Sequence, residues 1–102
     1  MSIKKQFLKT RPVCKVTFRL DKNEVNNAET AHLVGDFNKW DKTRMPMRRL
    51  KNGSFTITVD FESNHDYQFR YLLDNKKWIN ESAADLYIPS GYTGVKNSVI
   101  RV

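Results

Sequence analysis

The sequence contains a single cysteine, Cys14, so no disulfide can form within the chain. It also lacks long apolar runs, because the longest unbroken stretches, such as residues 71–73, are three residues long. A membrane-spanning helix needs about 18 or more consecutive apolar residues, which excludes such a helix here. Residues 1–11 carry four cations and no apolar segment, unlike a secretory signal. We therefore expect a cytoplasmic protein with a reduced thiol.

The sequence is also poor in the patterns that support catalysis. It has neither a G-x-G-x-x-G nor a G-x-x-x-x-G-K-[ST] phosphate loop. The metal-ligating types His32, His65 and Cys14 each stand alone, without the spacing of a metal site. Four acids of the second half show no spacing that would set two of them across a cleft: Asp66, Asp74, Glu81 and Asp85. We expect a non-catalytic protein with no metal and no cofactor.

Apolar residues alternate with polar ones in several segments, which is typical of half-buried β-strands. In residues 14–20 the apolar positions are 14, 16, 18 and 20, so Cys14 is predicted to be a small core residue. Residues 55–61 and 67–73 show the same pattern, and residues 31–35 and 97–102 are shorter candidates. No internal stretch keeps a helical period, so the pattern predicts an all-β protein.

Turn signals separate these strands at short intervals. Asn52-Gly53 predicts a hairpin with a type I′ turn between two adjacent antiparallel strands, and Asp74-Asn75 predicts another turn. About seven short strands in 102 residues indicate a two-sheet antiparallel sandwich, with a five-stranded barrel as the alternative. We expect one domain over residues 13–102, preceded by an arm over residues 1–12 that is either extended or a single helical turn.

The net charge is +7, and it is unevenly distributed. Residues 1–20 hold six cations and no anion, and residues 42–51 hold five more cations. These cations could form one patch for phosphates or acidic surfaces, or could be dispersed over a solvated arm and a strand edge. The sequence leaves this choice open.

Trp40 and Trp78 both lie in polar, turn-like contexts, outside the alternating strands. One interpretation is that each indole covers an end of the core, since tryptophan is well buried on average. The other is that each is an exposed platform for a ligand with an apolar face and a hydroxylated rim, such as a sugar or a nucleobase. Two such platforms would supply roughly 2–6 kcal/mol of binding free energy.

Several motifs in the chain resemble carbohydrate-binding module family 48, which includes the glycogen-binding domain of AMP-activated kinase β subunits and the N-terminal early-set domains of isoamylases and glucan branching enzymes. The resemblance covers roughly residues 13–102 and rests on four stretches: HLVGDFNKW at 32–40, MPM at 45–47, YQFRYLLD at 67–74 with Trp78, and GVKNSVI at 94–100.

This resemblance implies an immunoglobulin-like early-set sandwich that binds α-1,4-glucan, such as glycogen, starch or maltooligosaccharide. By position, Trp40 and Trp78 match the stacking platforms, Arg70 occupies the place of a lysine that donates to sugar hydroxyls, and Asn97 matches a hydrogen-bonding asparagine. The loop over residues 90–94 resembles one that reaches over the ligand, which assigns Tyr92 and Thr93 as further contacts. Gly35, Asp36 and Phe37 are expected to serve the fold, the glycine by turning the backbone.

Two other functions are compatible with the same residues. Single-stranded nucleic acid could stack on the tryptophans while the positive charge follows its phosphates. Alternatively, the chain could be a regulatory module that docks on a separate glycogen or starch enzyme through its basic first strand and arm. Salt separates the first alternative from glucan binding, because only nucleic-acid affinity falls steeply as salt is added.

Overall fold

The computed structural model describes residues 1–102 as two antiparallel sheets that pack face to face. The first sheet has the strand order β1-β2-β5-β4, and the second has the order β3-β6-β9-β8, with β7 paired to β6. The nine strands are β1 (Ser2–Phe7), β2 (Val13–Leu20), β3 (Ala31–Gly35), β4 (Arg48–Arg49), β5 (Phe55–Glu62), β6 (Asp66–Leu73), β7 (Lys77–Ile79), β8 (Leu86–Pro89) and β9 (Lys96–Arg101). The one helical segment, a 3-10 turn over Asp36–Asn38, is far too short to cross a membrane.

The predicted all-β antiparallel sandwich is confirmed, and the five-stranded barrel is excluded. The alternating segments form β2, β5 and β6, and the two shorter candidates form β3 and β9. The chain has nine strands rather than about seven, because β1, β7 and β8 carry no clear alternation of their own. Each of these three strands is short and lies beside a longer strand that supplies its register.

The core lies between the two sheets and contains 16 buried apolar residues. At its centre Phe18 of β2 meets Phe69 and Tyr71 of β6 edge to face, with ring centroids 5.4 and 6.4 Å apart. Cys14 is fully buried beside them on the apolar face of β2, as predicted. Burial raises the pKa of the Cys14 thiol, so the group stays protonated at neutral pH and is a poor nucleophile.

The hairpin at Asn52-Gly53 forms as predicted, with β4 and β5 adjacent and antiparallel. The predicted type I′ turn is wrong, because positive φ occurs only at Gly53, where φ is 86°. The Gly53 amide donates to the Leu50 carbonyl at 3.0 Å, and the Asn52 side-chain oxygen accepts from the Ser54 amide at 3.0 Å. A three-residue loop of this kind places only its last residue in the left-handed region.

Within the expected N-terminal arm, residues 2–7 are extended and pair with β2, from Ser2 opposite Arg19 to Phe7 opposite Cys14. They therefore form the edge strand β1 of the first sheet. Lys5 of this strand donates to Asp85 at 2.7 Å, and Asp85 also accepts from the Arg101 backbone amide at 2.7 Å. The Asp85 carboxylate thus links the edge of the first sheet to the second.

The position of Asp85 predicts a loss of stability in acid. Burial alone would raise the pKa of Asp85, but the hydrogen bonds from the Arg101 amide and the Lys5 ammonium lower it below its ordinary value. A lowered pKa means that the charged carboxylate stabilises the fold above about pH 4 and that this contribution is lost as pH falls through the folded-state pKa.

We expect Asp85→Asn to reduce the free energy of unfolding by about 1 kcal/mol at pH 7 and by much less at pH 3. Urea unfolding at the two pH values measures both differences. Asp60→Asn is the matched control, because the Asp60 carboxylate lies 3.8 Å from Lys15 on the exposed side of the first sheet. An equal loss at both pH values for Asp85→Asn would contradict this account.

Candidate functional site

Three of the predicted site residues, Arg70, Trp78 and Asn97, lie on one face of the second sheet, the face turned away from the first sheet, which we call the outer face. Residues opposite each other in register share a face, and Val34 of β3 lies opposite Arg70 of β6. On the same face Leu72 of β6 lies opposite Trp78 of β7, and Gln68 lies opposite Val99 of β9. Val34, Leu72 and Val99 are buried but do not belong to the main core cluster. They are the buried apolar positions of the outer face.

The centre of the outer face is a chain of polar side chains held in fixed orientations. Arg70 donates through Nε to the Asn97 Oδ1 atom at 2.9 Å, and the Asn97 Nδ2 group donates to Gln68 Oε1 at 3.0 Å. Asn97 is buried, with 6% of its surface exposed, whereas Arg70 and Gln68 are half-buried. The two terminal nitrogens of Arg70 make no hydrogen bond within the chain, so they are available to a ligand.

Trp78 lies in the middle of β7, a strand too short to show alternation in the sequence. Its indole is half-buried and is approached by two cations, with Arg70 Cζ at 5.3 Å and Lys42 Nζ at 6.0 Å from the ring centroid. Such contacts are within cation–π range. Trp78 is therefore neither a bare platform nor a lid over the main core, but part of an aromatic and cationic cluster on the outer face.

Trp40 is positioned by the tight turn that precedes it. Asn38, buried in this turn, donates through Nδ2 to the Leu33 carbonyl at 2.9 Å and accepts from the Gly35 amide at 3.1 Å. Lys39 and Trp40 then adopt positive φ values, both 57°, which turn the chain back over the sheet. The Trp40 amide closes the turn by donating to the Gly35 carbonyl at 2.9 Å.

Gly35 serves the fold for a different reason than expected. Its φ of −171° is extended and open to any residue, so the glycine is not needed to turn the backbone. A Cβ atom at this position would instead collide with the Gln68 carbonyl and with the Phe37 and Phe69 side chains. The absence of a side chain lets β3 lie close against β6 at the edge of the site.

Asp36 attaches this turn to the second sheet. One of its carboxylate oxygens accepts from the Trp40 indole Nε1 at 2.9 Å, and the other accepts from the Gln68 backbone amide at 2.9 Å. The first bond fixes the tilt of the indole, and the second fixes the turn against β6. Because the indole N–H is already used, Trp40 can offer a ligand its flat surface but not its hydrogen-bond donor.

An open cleft of about 230 Å³ lies between these elements, lined by Trp40, Gln68, Arg70, Ser90, Tyr92 and Asn97. Tyr92 is 75% exposed and belongs to the loop between β8 and β9, where Gly91 and Gly94 have positive φ. The cleft thus has aromatic rings from two loops and a polar floor from the sheet. Trp78 contacts Arg70 beside the cleft without lining it, and Thr93 is exposed on the loop but does not line it either.

Three residues of this region were not predicted from the sequence. Gln68 is two positions from Arg70 on the same strand, so alternation alone places it on the same face. Ser90 begins the loop that carries Tyr92. Lys42 has no comparable signal, because its place beside Trp78 depends on the path of the irregular chain after Trp40.

Two carboxylates outside the cleft, Glu81 and Asp74, have structural partners. Glu81 is fully buried and accepts from the Tyr71 hydroxyl at 2.6 Å, and burial together with this carboxylate raises the pKa of Tyr71 well above its usual value. Asp74 accepts from the Thr30 and Glu29 amides, which lower its pKa. No three side chains of the His, Cys, Asp or Glu types gather where they could hold a metal ion. The arrangement supplies binding groups rather than an acid–base pair.

The close contact at Gly35 predicts that one added methyl group lowers the stability of the fold substantially. We expect Gly35→Ala to lower the free energy of unfolding by about 3 kcal/mol, since overpacking against backbone cannot relax easily. Gly94→Ala is the matched control: it meets no neighbouring atom but has a φ of 76°, so it should cost about 1 kcal/mol. Urea unfolding followed by tryptophan fluorescence compares the two, and equal losses would contradict the steric explanation.

The chain is similar to known proteins in both sequence and fold. The family model of carbohydrate-binding module 48, described as the isoamylase N-terminal domain, matches residues 25–88. The 1,4-alpha-glucan-branching enzyme of Saccharomyces cerevisiae is 42% identical over 53 residues, which cover 45% of this chain and 8% of that enzyme.

A solved structure shares the fold at much lower sequence identity. The enterobactin esterase FES from Shigella flexneri superposes on 98% of this chain and 32% of its own chain, with a TM-score of 0.71 and 10% identity. The chain therefore spans about a third or less of either protein.

Proposed function

The chain belongs to the carbohydrate-binding module 48 family, and we propose that its outer cleft binds α-1,4-glucan without catalysing a reaction. The observation that carries this proposal is the pairing of aromatic rings with a fixed polar floor in one open cleft. The rings suit the apolar face of a sugar, and the floor suits its hydroxyl groups. The similarity to a protein named for 1,4-alpha-glucan supports this choice of polysaccharide.

In the proposed complex, Trp40 stacks against one glucose ring and Tyr92 closes on it from the β8–β9 loop. Arg70 donates to sugar hydroxyls through the terminal nitrogens that have no partner within the chain, and Asn97 orients Arg70 while presenting its own amide. Trp78, beside the cleft, is proposed to contact the next glucose unit with the part of its half-buried ring that Arg70 and Lys42 leave open. Thr93 is proposed to contact the ligand only after the loop has moved, because it does not line the cleft.

Removal of the stacking rings should weaken binding without unfolding the protein. We expect Trp40→Ala and Trp78→Ala each to raise the Kd for maltoheptaose by about 5- to 150-fold, because stacking on one ring contributes roughly 1–3 kcal/mol. Isothermal titration calorimetry measures the affinity of every variant, and circular dichroism shows whether each remains folded.

Two further variants make this test specific. Trp40→Phe keeps an aromatic surface and should recover most of the affinity lost in Trp40→Ala. Phe7→Ala removes an aromatic side chain that is 57% exposed on β1, away from the cleft, and should leave binding unchanged. Folded protein that ignores maltoheptaose would contradict the proposal and would favour docking on a separate enzyme as the role of the module.

Salt dependence separates glucan from nucleic acid as the ligand. A neutral glucan displaces few counterions, so its Kd should change by less than about twofold between 50 and 500 mM salt. A single-stranded oligonucleotide that used three of the cations would lose about 100-fold in affinity over the same tenfold range. Fluorescence titrations with maltoheptaose and with a ten-nucleotide single strand, each at several salt concentrations, measure how the two Kd values depend on salt. Tight, salt-sensitive binding of the oligonucleotide alone would overturn the proposal.

A further inference from the structure

Trp78 brings two cations from different parts of the chain to one place on the outer face. Arg70 reaches its ring from β6, and Lys42 reaches it from the loop after Trp40. The two charged groups lie 5.3 and 6.0 Å from the same centroid, so they can be no further apart than the sum of these distances. A single donor would be sufficient to bind the hydroxyls of a neutral sugar at this point.

Neither cation is neutralised by the protein. Arg70 makes one side-chain hydrogen bond, to the neutral amide of Asn97, and Lys42 makes none. The two carboxylates of the Trp40 loop are already engaged, since Asp36 accepts from the Trp40 indole and the Gln68 amide. Asp41 accepts from Thr43 and lies 3.8 Å from Arg44. Arg70 and Lys42 thus have no carboxylate partner of their own, and the nearby Asp36 carboxylate, which accepts only from neutral N–H groups, is a single negative charge beside two positive ones.

Like charges held beside one indole repel each other, and an anion between them would relieve this repulsion. A phosphate monoester has the required chemistry, because it carries a charge of about −1.5 to −2 at pH 7 and three strong acceptor oxygens. The planar Arg70 guanidinium can bind two of these oxygens at once, and Lys42 supplies a mobile point charge. The two cations are sufficient for one such group.

We propose that the cleft prefers α-glucan in which a glucose unit carries a phosphate monoester, with the phosphate bound between Arg70 and Lys42. This inference rests on the proposed function, because the sugar rings still stack on Trp40 and Tyr92. Lys42 then determines the preference for phosphorylated over neutral glucan, because it contacts the phosphate and not the sugar ring.

The test compares maltoheptaose with maltoheptaose that carries one phosphate monoester, by calorimetry in 50 mM salt. We expect the phosphorylated ligand to bind about tenfold more tightly, and this preference should shrink as salt is raised to 500 mM. With the preference taken for each variant as the ratio of its two Kd values, Lys42→Gln should lower it to about threefold and Lys42→Glu should abolish it. Lys51→Gln and Lys51→Glu, which change the same charges in the β4–β5 turn, should retain the full preference.

Different results overturn different parts of the account. Equal binding of the two maltoheptaoses would overturn the phosphate inference alone, because the proposed glucan site would still stand. A preference that persists in Lys42→Glu would also overturn it. Failure of both ligands to bind would contradict the proposed function itself. The affinities for glucose 6-phosphate and for inorganic phosphate are measured in the same way. If either bound as tightly as the phosphorylated maltoheptaose, the ligand would be a free phosphate compound and not a glucan.

Discussion

The carboxylate of Asp36 holds together the two parts of the chain from which the cleft is built. One oxygen binds the indole of Trp40 and the other binds the backbone of β6 at Gln68. Other bonds join the loop that carries Trp40 and Lys42 to β3: the Asn38 side chain binds at its start, and the Leu33 and Met47 amides donate to the Met45 and Ala31 carbonyls at its end. Since each hydrogen bond to an exposed carboxylate contributes about 1 kcal/mol, the bridge matters more for the orientation of the indole than for global stability. The spacing of Trp40 from Arg70 follows from it.

Much of the fold could be predicted because a two-residue period is a direct consequence of strand geometry. The strands β2, β5 and β6 each bury one face in the core, and apolar and polar residues therefore alternate in their sequences. β1 was harder to place, because Ile3 packs on the core while Lys5 occupies an inward position and pairs with Asp85 at the edge. The hairpin at Asn52-Gly53 was predictable, but its turn type was not, since Asn52 uses its side chain rather than a positive φ.

The candidate site, like the fold, was predictable from the sequence only in part. Arg70 and Asn97 were assigned by resemblance, and strand register independently brings both to the outer face, where they are hydrogen-bonded. Gln68 could have been added by alternation from Arg70. The state of Trp78 could not have been foreseen, because the cations that approach its ring come from a strand and a loop that no local pattern connects. Whether an aromatic ring is bare or covered is a tertiary property.

The distribution of the positive charge also depends on register rather than on sequence runs. The cations of residues 1–20 and 42–51 are dispersed: Lys42 lies beside Trp78, whereas three others lie on the solvent face of the first sheet, namely Lys4, Arg19 and Arg48. The second sheet and the core separate them from Arg70. Because charges more than a Debye length apart, about 8 Å at physiological salt, are largely screened, that distant group contributes little at the cleft. The electrostatic character of the site is therefore set locally by Arg70, Lys42 and the Asp36 carboxylate, and the net charge of +7 is not a guide to it.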